Sequence, residues 1–242
     1  VLFRSACLAR ALEDKRVRAV IAVHALGHPA DVDALLPLCR AAGVPLVEDA
    51  AGAIGTLYRG RPVAGLGDIA IFSFNGNKTV TAGGGGMVVT DDETVAKRLK
   101  ALSAQARQGD RYAYDEVAFN YRMTNLNAGL LLAQIERLEE MVAAKRRIAT
   151  AYDAALAGRN DLTVMPRAPW AHSGCWLYSV RARSEADALA LVRHLDERDI
   201  EARIFWRTLS DQPAYAGAPT ALTGRSEEHT SELQSRLHLV CR

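Results

Sequence analysis

The sequence predicts an α/β fold, in which a mostly parallel β-sheet carries helices on both faces. Apolar runs indicate strands at residues 19–24, 45–47, 68–74 and 87–90. One helical pattern lies between the first two strands, at residues 31–43, and another follows the last strand, at residues 92–102. Short strands separated by helices favour parallel pairing, because a crossover helix returns the chain to the same edge of the sheet.

The first predicted helix begins after Asp31, which is expected to be its N-cap. Its apolar face consists of Val32, Leu35, Leu36 and Cys39. Pro37 predicts a kink or an early end, because an interior proline removes a backbone hydrogen bond. Gly43 predicts that the helix ends there at the latest.

Further along, residues 58–62 predict a turn, and residues 92–102 predict a helix with acidic residues in its first turn. Residues 124–156 predict a long helical stretch with a bend. An apolar stripe runs along this stretch and consists of Leu126, Leu130, Ala133, Leu138, Met141, Val142 and Ile148. We interpret most of the stripe as core packing.

Composition excludes several classes of protein. Lys and Arg total 30 against 28 for Asp and Glu, so no nucleic-acid footprint is expected. No apolar run is long enough to cross a bilayer, and no signal peptide is visible. The cysteines lack paired spacing, which disfavours disulfides or a zinc site and favours reduced thiols in the cytoplasm.

The most informative residue is Lys78, which lies in a polar turn between the apolar residues 72–74 and the glycines at 83–86. Burying its amine without a partner is costly, so a plain core role is disfavoured. Burial in a pocket instead lowers the pKa of the amine and frees its lone pair for Schiff-base chemistry. The alternative is a solvated loop lysine.

The glycines at 83–86 do not form a phosphate-binding P-loop, whose glycines precede its lysine. A positive-φ turn or a close backbone approach explains them better. His24 and His28 have ligand-like spacing, but Gly27 and Pro29 make a shared helix face unfavourable. We therefore expect no metal site, and we interpret His24 as a structural histidine.

Asp49 follows the short strand at residues 45–47, next to Glu48. In α/β sheets the carboxyl ends of strands face the ligand crevice. An aspartate opposite a pyridine nitrogen keeps that nitrogen protonated, which makes pyridoxal 5'-phosphate an electron sink. The alternative for Asp49 is a helix N-cap, and Glu48 is interpreted as structural.

Together these segments resemble the DegT/DnrJ/StrS family of pyridoxal phosphate-dependent sugar aminotransferases. The motifs that carry the resemblance lie at residues 23–31, 48–51, 65–69, 72–78, 84–90 and 120–123. They occur in the family's order and cover nearly all of residues 10–222. Residues 75–78, with 120–127, are most similar to the branch that acts on UDP-linked 4-keto-6-deoxy amino sugars.

The resemblance implies fold type I, with a large cofactor-binding domain at residues 6–150 and part of a small α/β domain at 151–224. Residues 124–156 would connect the two domains. Strands at 176–183 and 201–205 and a helix at 185–198 would belong to the small domain. The implied reaction is transamination at C4 of a nucleotide-linked 4-keto-6-deoxysugar, with glutamate as the amino donor.

The resemblance also assigns roles to single residues. Lys78 would hold the cofactor as an imine and move a proton once it is released, and Asp49 would pair with the pyridine nitrogen. Ser73 would hydrogen-bond the cofactor phosphate. Asn120 would reach the cofactor phosphate of the partner subunit, which implies a homodimer with shared active sites. Without the resemblance, Ser73 would be a strand residue and Asn120 a turn residue.

Some positions depart from the family pattern. Gly52 stands where many members have a polar side chain, Tyr114 and Ala118 stand where His and Gly are common, and Thr208 replaces a frequent proline. Two alternatives to transamination remain. A sugar dehydratase of the same fold typically has histidine in place of the lysine, so Lys78 argues against it. A non-catalytic domain that binds pyridoxal phosphate would turn over no ketosugar.

The two ends of the chain are related to each other through their possible coding sequences. Residues 225–229 can be encoded by AGATCGGAAGAGCAC, whose reverse complement encodes Val-Leu-Phe-Arg-Ser, the sequence of residues 1–5. We interpret residues 1–5 and 225–242 as translated sequencing adapter and exclude them from the fold prediction. The alternative is a natural polar tail. The genuine portion would then be 6–224, truncated at both ends.

Overall fold

A computed structural model describes residues 5–109, 112–114, 116–206, 212–218 and 236–239 of the chain. Its main sheet has the order β1 (Val20–Val23), β2 (Leu46–Asp49), β5 (Ile69–Ser73) and β6 (Gly86–Val89). The β1–β2 and β2–β5 pairs are parallel, whereas β5 and β6 are antiparallel. The predicted mostly parallel sheet is therefore confirmed.

Two helices, α1 (Ser5–Ala11) and α2 (Val32–Ala42), pack on the main sheet. The expected early end of α2 at Pro37 is wrong, since the helix continues to Ala42 and ends at Gly43 with φ 67°. The proline ring lies on the exposed face, and the opposite face is buried in the core. Burial of that face offsets the roughly 3 kcal/mol that an interior proline costs.

The sheet is covered less completely than expected. In β1, buried Val20 and Ala22 alternate with Ile21 and Val23, which are 61% and 53% exposed. Such alternation is typical of a sheet with one solvent-facing side. Within the residues that the structure describes, helices therefore cover only one face of the sheet at β1.

A small sheet forms beside the core from β3 (Leu57–Tyr58), β4 (Arg61–Pro62) and β10 (Ala171–His172). Arg59 and Gly60 connect β3 to β4 with positive φ angles of 49° and 78°. The predicted turn at 58–62 is thus confirmed. Helix α3 (Glu93–Ser103) begins at the predicted place, where Asp92 caps it, and the hairpin of β7 (Arg107–Gln108) and β8 (Ala113–Tyr114) follows.

The long helical stretch is divided into α4 (Asn125–Ile135) and α5 (Leu138–Leu156). Core packing is confirmed for Val142, which is buried, but it is wrong for Leu126 and Leu130, which are 89% and 48% exposed. On α4 the residue that packs into the core is Leu131. Helix α4 turns the Leu131 face inward, so the part of the predicted stripe that lies on α4 is exposed.

A second sheet has the order β12 (Ala202–Ile204), β13 (Arg236–Leu239), β11 (Tyr178–Ala182) and β9 (Leu162–Val164), with α6 (Glu185–Asp196) beside it. These elements match the strands and the helix expected for a small domain. Strand β13 lies in the segment that we attribute to translated adapter, and that attribution stays a prediction. Thr208 lies outside the described residues.

In the part of the chain that the structure describes, no helix is both long and apolar enough to cross a membrane. The same residues contain no cluster of three or more His, Cys, Asp or Glu side chains that could hold a metal ion.

Candidate active site

Two neighbouring parallel strands end at the same edge of the main sheet. Strand β2 ends at Asp49 and β5 ends at Ser73, with Asp49 in register with Ile71. The Asp49 Oδ1 atom accepts a hydrogen bond from the Ala51 N–H at 3.0 Å. Both side chains therefore lie at the strand ends where α/β proteins bind ligands.

Lys78 lies in a loop whose two flanks are anchored in the core. Phe74 before it and Val80 after it are buried in one apolar cluster, and the Lys78 N–H donates to the Asn75 carbonyl at 3.0 Å. These contacts hold the lysine backbone at the carboxyl end of β5. The side chain is half-buried, and burial lowers its pKa, against an opposing effect of the Asp49 carboxylate.

The glycines after Lys78 make a tight return to β6. Gly83 and Gly85 have φ angles of 76° and 89°, which L side chains rarely adopt. A Cβ on Gly86 would lie 2.6 Å from the Phe72 carbonyl oxygen. Both expected explanations of the glycine stretch, positive φ and close backbone approach, are thus confirmed.

A contact that the sequence did not predict covers the Lys78 amine. The Nζ atom lies 3.5 Å from the ring centroid of Trp176, which is 9% exposed. The indole Nε1–H donates to the Asn77 carbonyl at 2.8 Å. Trp176 comes from the part of the chain expected to form the small domain, and no local pattern relates it to Lys78.

Gly52 explains how the indole ring reaches this position. A Cβ on residue 52 would lie 2.3 Å from Trp176 Cε3, closer than real contacts allow. The ring thus fills the space where many members of the resembled family have a polar side chain.

Asn120 lies away from this group of residues. It is exposed, and its backbone forms a bridge with Ala104 at the end of α3. Among the contacts of the described residues, none joins Asn120 to Lys78, Asp49 or Ser73. Its role toward a partner subunit stays a prediction.

Behind the candidate site, His24 and Glu48 form a buried pair with 2.9 Å between Nε2 and Oε2. The His24 Nδ1 atom accepts the Ala30 N–H at 3.0 Å, so the ring is neutral and its Nε2–H donates to Glu48. Glu48 also accepts three backbone N–H groups, those of Ala64, Leu66 and Gly67. Both residues therefore have the structural role that we expected of them.

Glu48→Gln is expected to lower the free energy of unfolding by about 3 kcal/mol. Burial alone raises the pKa of Glu48, but its four hydrogen bonds outweigh that effect and lower the pKa, so the charged form is the stable one. Urea unfolding at neutral pH measures the loss. Glu140→Gln, which changes an exposed ion-paired glutamate, should lower the free energy of unfolding far less. Equal losses in the two variants would contradict the structural role.

His28 links the first half of the chain to residue 168. Its Nδ1–H donates to the Pro29 carbonyl at 2.9 Å, and its Nε2 accepts the Ala168 N–H at 3.0 Å. Burial lowers the pKa of His28, against an opposing effect of its hydrogen bond to the Pro29 carbonyl. Protonation of Nε2 would also break the bond from the Ala168 N–H.

Stability is therefore expected to fall as the pH drops below about 6.5, the ordinary pKa of histidine. Above that value the ring is neutral in both the folded and the unfolded chain, and the stabilisation is complete. It is lost as the pH falls through the lower pKa of the folded state. Between about pH 7 and about pH 5, the urea midpoint of unfolding should decrease less with falling pH in His28→Gln than in the parent chain. His194→Gln, at an exposed histidine, should keep the original slope, and an unchanged slope in His28→Gln would be contrary to expectation.

Buried polar contacts also join the loops around the site. The Thr56 hydroxyl donates to the Gly27 carbonyl at 2.8 Å and accepts the Gly174 N–H at 2.9 Å. From α5, the Arg146 guanidinium donates to the carbonyls of Gly55 and Ser173, both at 2.9 Å. These bonds fix the segment that leads to Trp176 against the loop that follows β2.

The residues at this edge fit pyridoxal 5'-phosphate. The group needs an amine with a lowered pKa, and Lys78 supplies one. It also needs a carboxylate to face the pyridine nitrogen across the ring, and Asp49 at the end of β2 would be that group, its charge acting as far as the Lys78 amine. Ser73 adds a hydroxyl at the end of the adjacent strand.

Comparison with known proteins gives the same result. The DegT/DnrJ/EryC1/StrS aminotransferase family matches residues 4–240. The GDP-perosamine synthase of Vibrio cholerae is 40% identical over 205 residues, which are 84% of this chain and 56% of that protein. The GDP-perosamine synthase of Caulobacter vibrioides is 36% identical over 214 residues, 87% of this chain and 58% of that protein.

A solved structure of DesV from S. venezuelae, in complex with a ketimine intermediate, is 31% identical with a TM-score of 0.88. The match covers 98% of this chain and 63% of that one. The chain spans 55–58% of the length of the curated relatives compared with it. The parallel sheet is that of pyridoxal phosphate enzymes of fold type I. The chain belongs to the DegT/DnrJ/EryC1/StrS aminotransferase family, whose members are pyridoxal phosphate-dependent.

Proposed function

We propose that the chain is part of an aminotransferase that converts the C4 ketone of a nucleotide-linked 4-keto-6-deoxysugar into an amine, with glutamate as donor. The observation that carries the proposal is the half-buried Lys78 amine at the carboxyl end of β5, within reach of the Asp49 charge. A dehydratase of this fold typically has histidine at that position. Lysine at position 78 therefore favours transamination over dehydration.

When bound, pyridoxal phosphate supplies an electron sink for the carbon that loses its proton. Lys78 would hold the group covalently, and its amine, with a lowered pKa, would then move the proton between the two reacting carbons. The Asp49 carboxylate would keep the pyridine nitrogen protonated, and the Ser73 hydroxyl would donate to the phosphate. Asn120 of a second copy would add a contact to the same phosphate.

Two lines of support bear on the nucleotide. The motifs at 75–78 and 120–127 resemble the branch that uses UDP-sugars, whereas three relatives are named GDP-perosamine synthases. The test incubates a full-length protein that contains this sequence with pyridoxal phosphate, glutamate and UDP-, GDP- or dTDP-4-ketosugars. Formation of aminosugar and 2-oxoglutarate with one of them supports the proposal. A protein that binds the cofactor but turns over none of them would instead be a non-catalytic domain.

Among the residues that the structure describes, Cys7, Cys39 and Cys175 are free thiols. Thiols of this kind are typical of a reducing compartment, which supports a cytoplasmic location for the proposed enzyme.

A homodimer is part of the proposal, and the outer face of α4 supports it. Leu126 and Leu130 on this face are exposed, and contiguous exposed apolar side chains commonly mark interaction surfaces. Light scattering of the chain should give a dimer. The double variant Leu126→Glu/Leu130→Glu should give a monomer, because two charges would be buried without partners.

Leu189→Glu is a matched control, since Leu189 lies on α6 and is 41% exposed. It should leave the dimer intact. A monomeric parent chain, or a dimer that persists in the double variant, would contradict this part of the proposal.

A further inference from the structure

The indole ring of Trp176 lies over the amine of Lys78. The Lys78 Nζ atom lies 3.5 Å from the indole centroid, well within the roughly 6 Å over which an ammonium is attracted to an aromatic face. Trp176 is 9% exposed, so the ring also shields the amine from water on that side.

The ring is held in place at its other end. Its Nε1–H donates to the Asn77 carbonyl, which directly precedes Lys78. The same indole thus contacts the side chain of Lys78 through its face and the backbone of the neighbouring residue through its edge. Two contacts of different kinds on adjacent residues fix both the turn and the amine that it carries.

The space for the ring depends on residue 52. No Cβ fits there while the indole occupies its present position, since the separation from Trp176 Cε3 would be 2.3 Å. Gly52 also lies three residues after Asp49, on the loop that leaves the candidate cofactor site. The glycine and the tryptophan are therefore a matched pair.

We propose that Trp176 is a positioning residue for Lys78, which holds the amine against its indole face in a space that exists because residue 52 is glycine. This assignment rests on the proposed function only for the importance of Lys78. The contact is a property of the chain itself, and it can be tested without cofactor or substrate.

The direct test uses indole fluorescence, which responds to the charge of an adjacent amine. The chain has three tryptophans, so Trp170→Phe/Trp206→Phe leaves Trp176 as the only one. Its emission should change in one step as the pH rises, with a midpoint below the ordinary lysine value of about 10.4, because burial lowers the pKa of Lys78. Adding Lys78→Met should abolish the step, and adding Lys97→Met, at an exposed lysine, should leave it.

A second measurement covers the case in which the single-tryptophan chain does not fold. Trinitrobenzenesulfonate labels free amines, and mass spectrometry of the Lys78 peptide gives the rate, with Lys97 as internal reference. Trp176→Leu should speed the labelling of Lys78 by about threefold to thirtyfold, the range that a partly desolvated cation–π contact represents. Trp176→Phe, which keeps an aromatic face, should show a smaller change.

The glycine is tested by paired variants. Gly52→Ala should expel the ring, remove the fluorescence step and lower the melting temperature. Adding Trp176→Leu should recover part of that temperature, because the added methyl group then has room. Gly76→Ala is the control, since a Cβ there meets no atom within 4 Å.

The assignment is overturned if the fluorescence step is missing or if it survives Lys78→Met. It is also overturned if Lys78 is labelled at the same rate in the parent chain, in Trp176→Leu and in Trp176→Phe. Such results would leave the proposed transamination intact. Conversely, failure to trap pyridoxal phosphate on Lys78 with borohydride would refute the proposed function and leave the indole contact standing.

Discussion

Lys78→Ala is expected to reduce transamination by about 10³-fold or more, because the variant loses both the covalent attachment point and the group that moves the proton. Borohydride reduction of a full-length protein with this sequence should also no longer fix the cofactor to the peptide that contains residue 78. The two readouts are independent, because trapping requires the amine but not the sugar. Steady-state kinetics and peptide mass spectrometry measure them.

Lys97→Ala is the matched control. Its side chain is 80% exposed and pairs with Glu93 on the surface of α3, so neither turnover nor trapping should change. Cofactor that remained trapped in Lys78→Ala would move the attachment point to another residue. Full activity in that variant would refute the mechanism as well.

Asp49→Asn is expected to reduce turnover by about 10²–10³-fold, the cost of removing one preorganised electrostatic contact. An amide is close in size to the carboxylate but cannot stabilise a protonated pyridine nitrogen. The variant should have a second effect that needs no substrate. Because the Asp49 charge raises the pKa of Lys78 against the effect of burial, its removal should lower that pKa further.

NMR titration of the Lys78 side chain measures this second effect. Asp91→Asn removes an exposed carboxylate from the loop before α3 and should change neither turnover nor the lysine pKa. If Asp49→Asn left both quantities unchanged, Asp49 would be only the residue that accepts the Ala51 N–H.

Local sequence patterns predicted the strand ends well. The apolar runs before Asp49 and Ser73 are short and bounded by polar residues, and parallel pairing of β2 with β5 is enough to bring their ends to one edge. The position of Lys78 followed from the same logic, because it lies just beyond a buried strand. In these cases short runs of neighbouring residues determine where each strand ends.

Other features depend on contacts that no local pattern encodes. Helix α4 has apolar side chains on more than one face, so its sequence does not indicate which face is buried. In the structure Leu131 is buried and Leu130 is exposed. The early end expected at Pro37 follows from the intrinsic cost of a proline inside a helix. In this chain the burial of the opposite helix face outweighs that cost. Trp176 and Lys78 are brought together only by the fold, so sequence analysis missed their contact.

Of the departures from the family pattern, one is explained by the structure. Gly52 has a structural reason in this chain, since Trp176 fills the space beside it. Tyr114 lies in the short strand β8 and is exposed, and Ala118 precedes the segment that bridges to α3. Nothing in the structure explains these two residues.

Helix α5 continues from 138 to 156, across the domain boundary expected at residue 150. Arg146 on this helix donates hydrogen bonds to the carbonyls of Gly55 and Ser173. Segments bonded in this way open together rather than one by one. The amides of α5 and of the loop that leads to Trp176 should therefore exchange with deuterium as a single cooperative unit. Any opening that releases Trp176 from the lysine would then expose the centre of α5 as well.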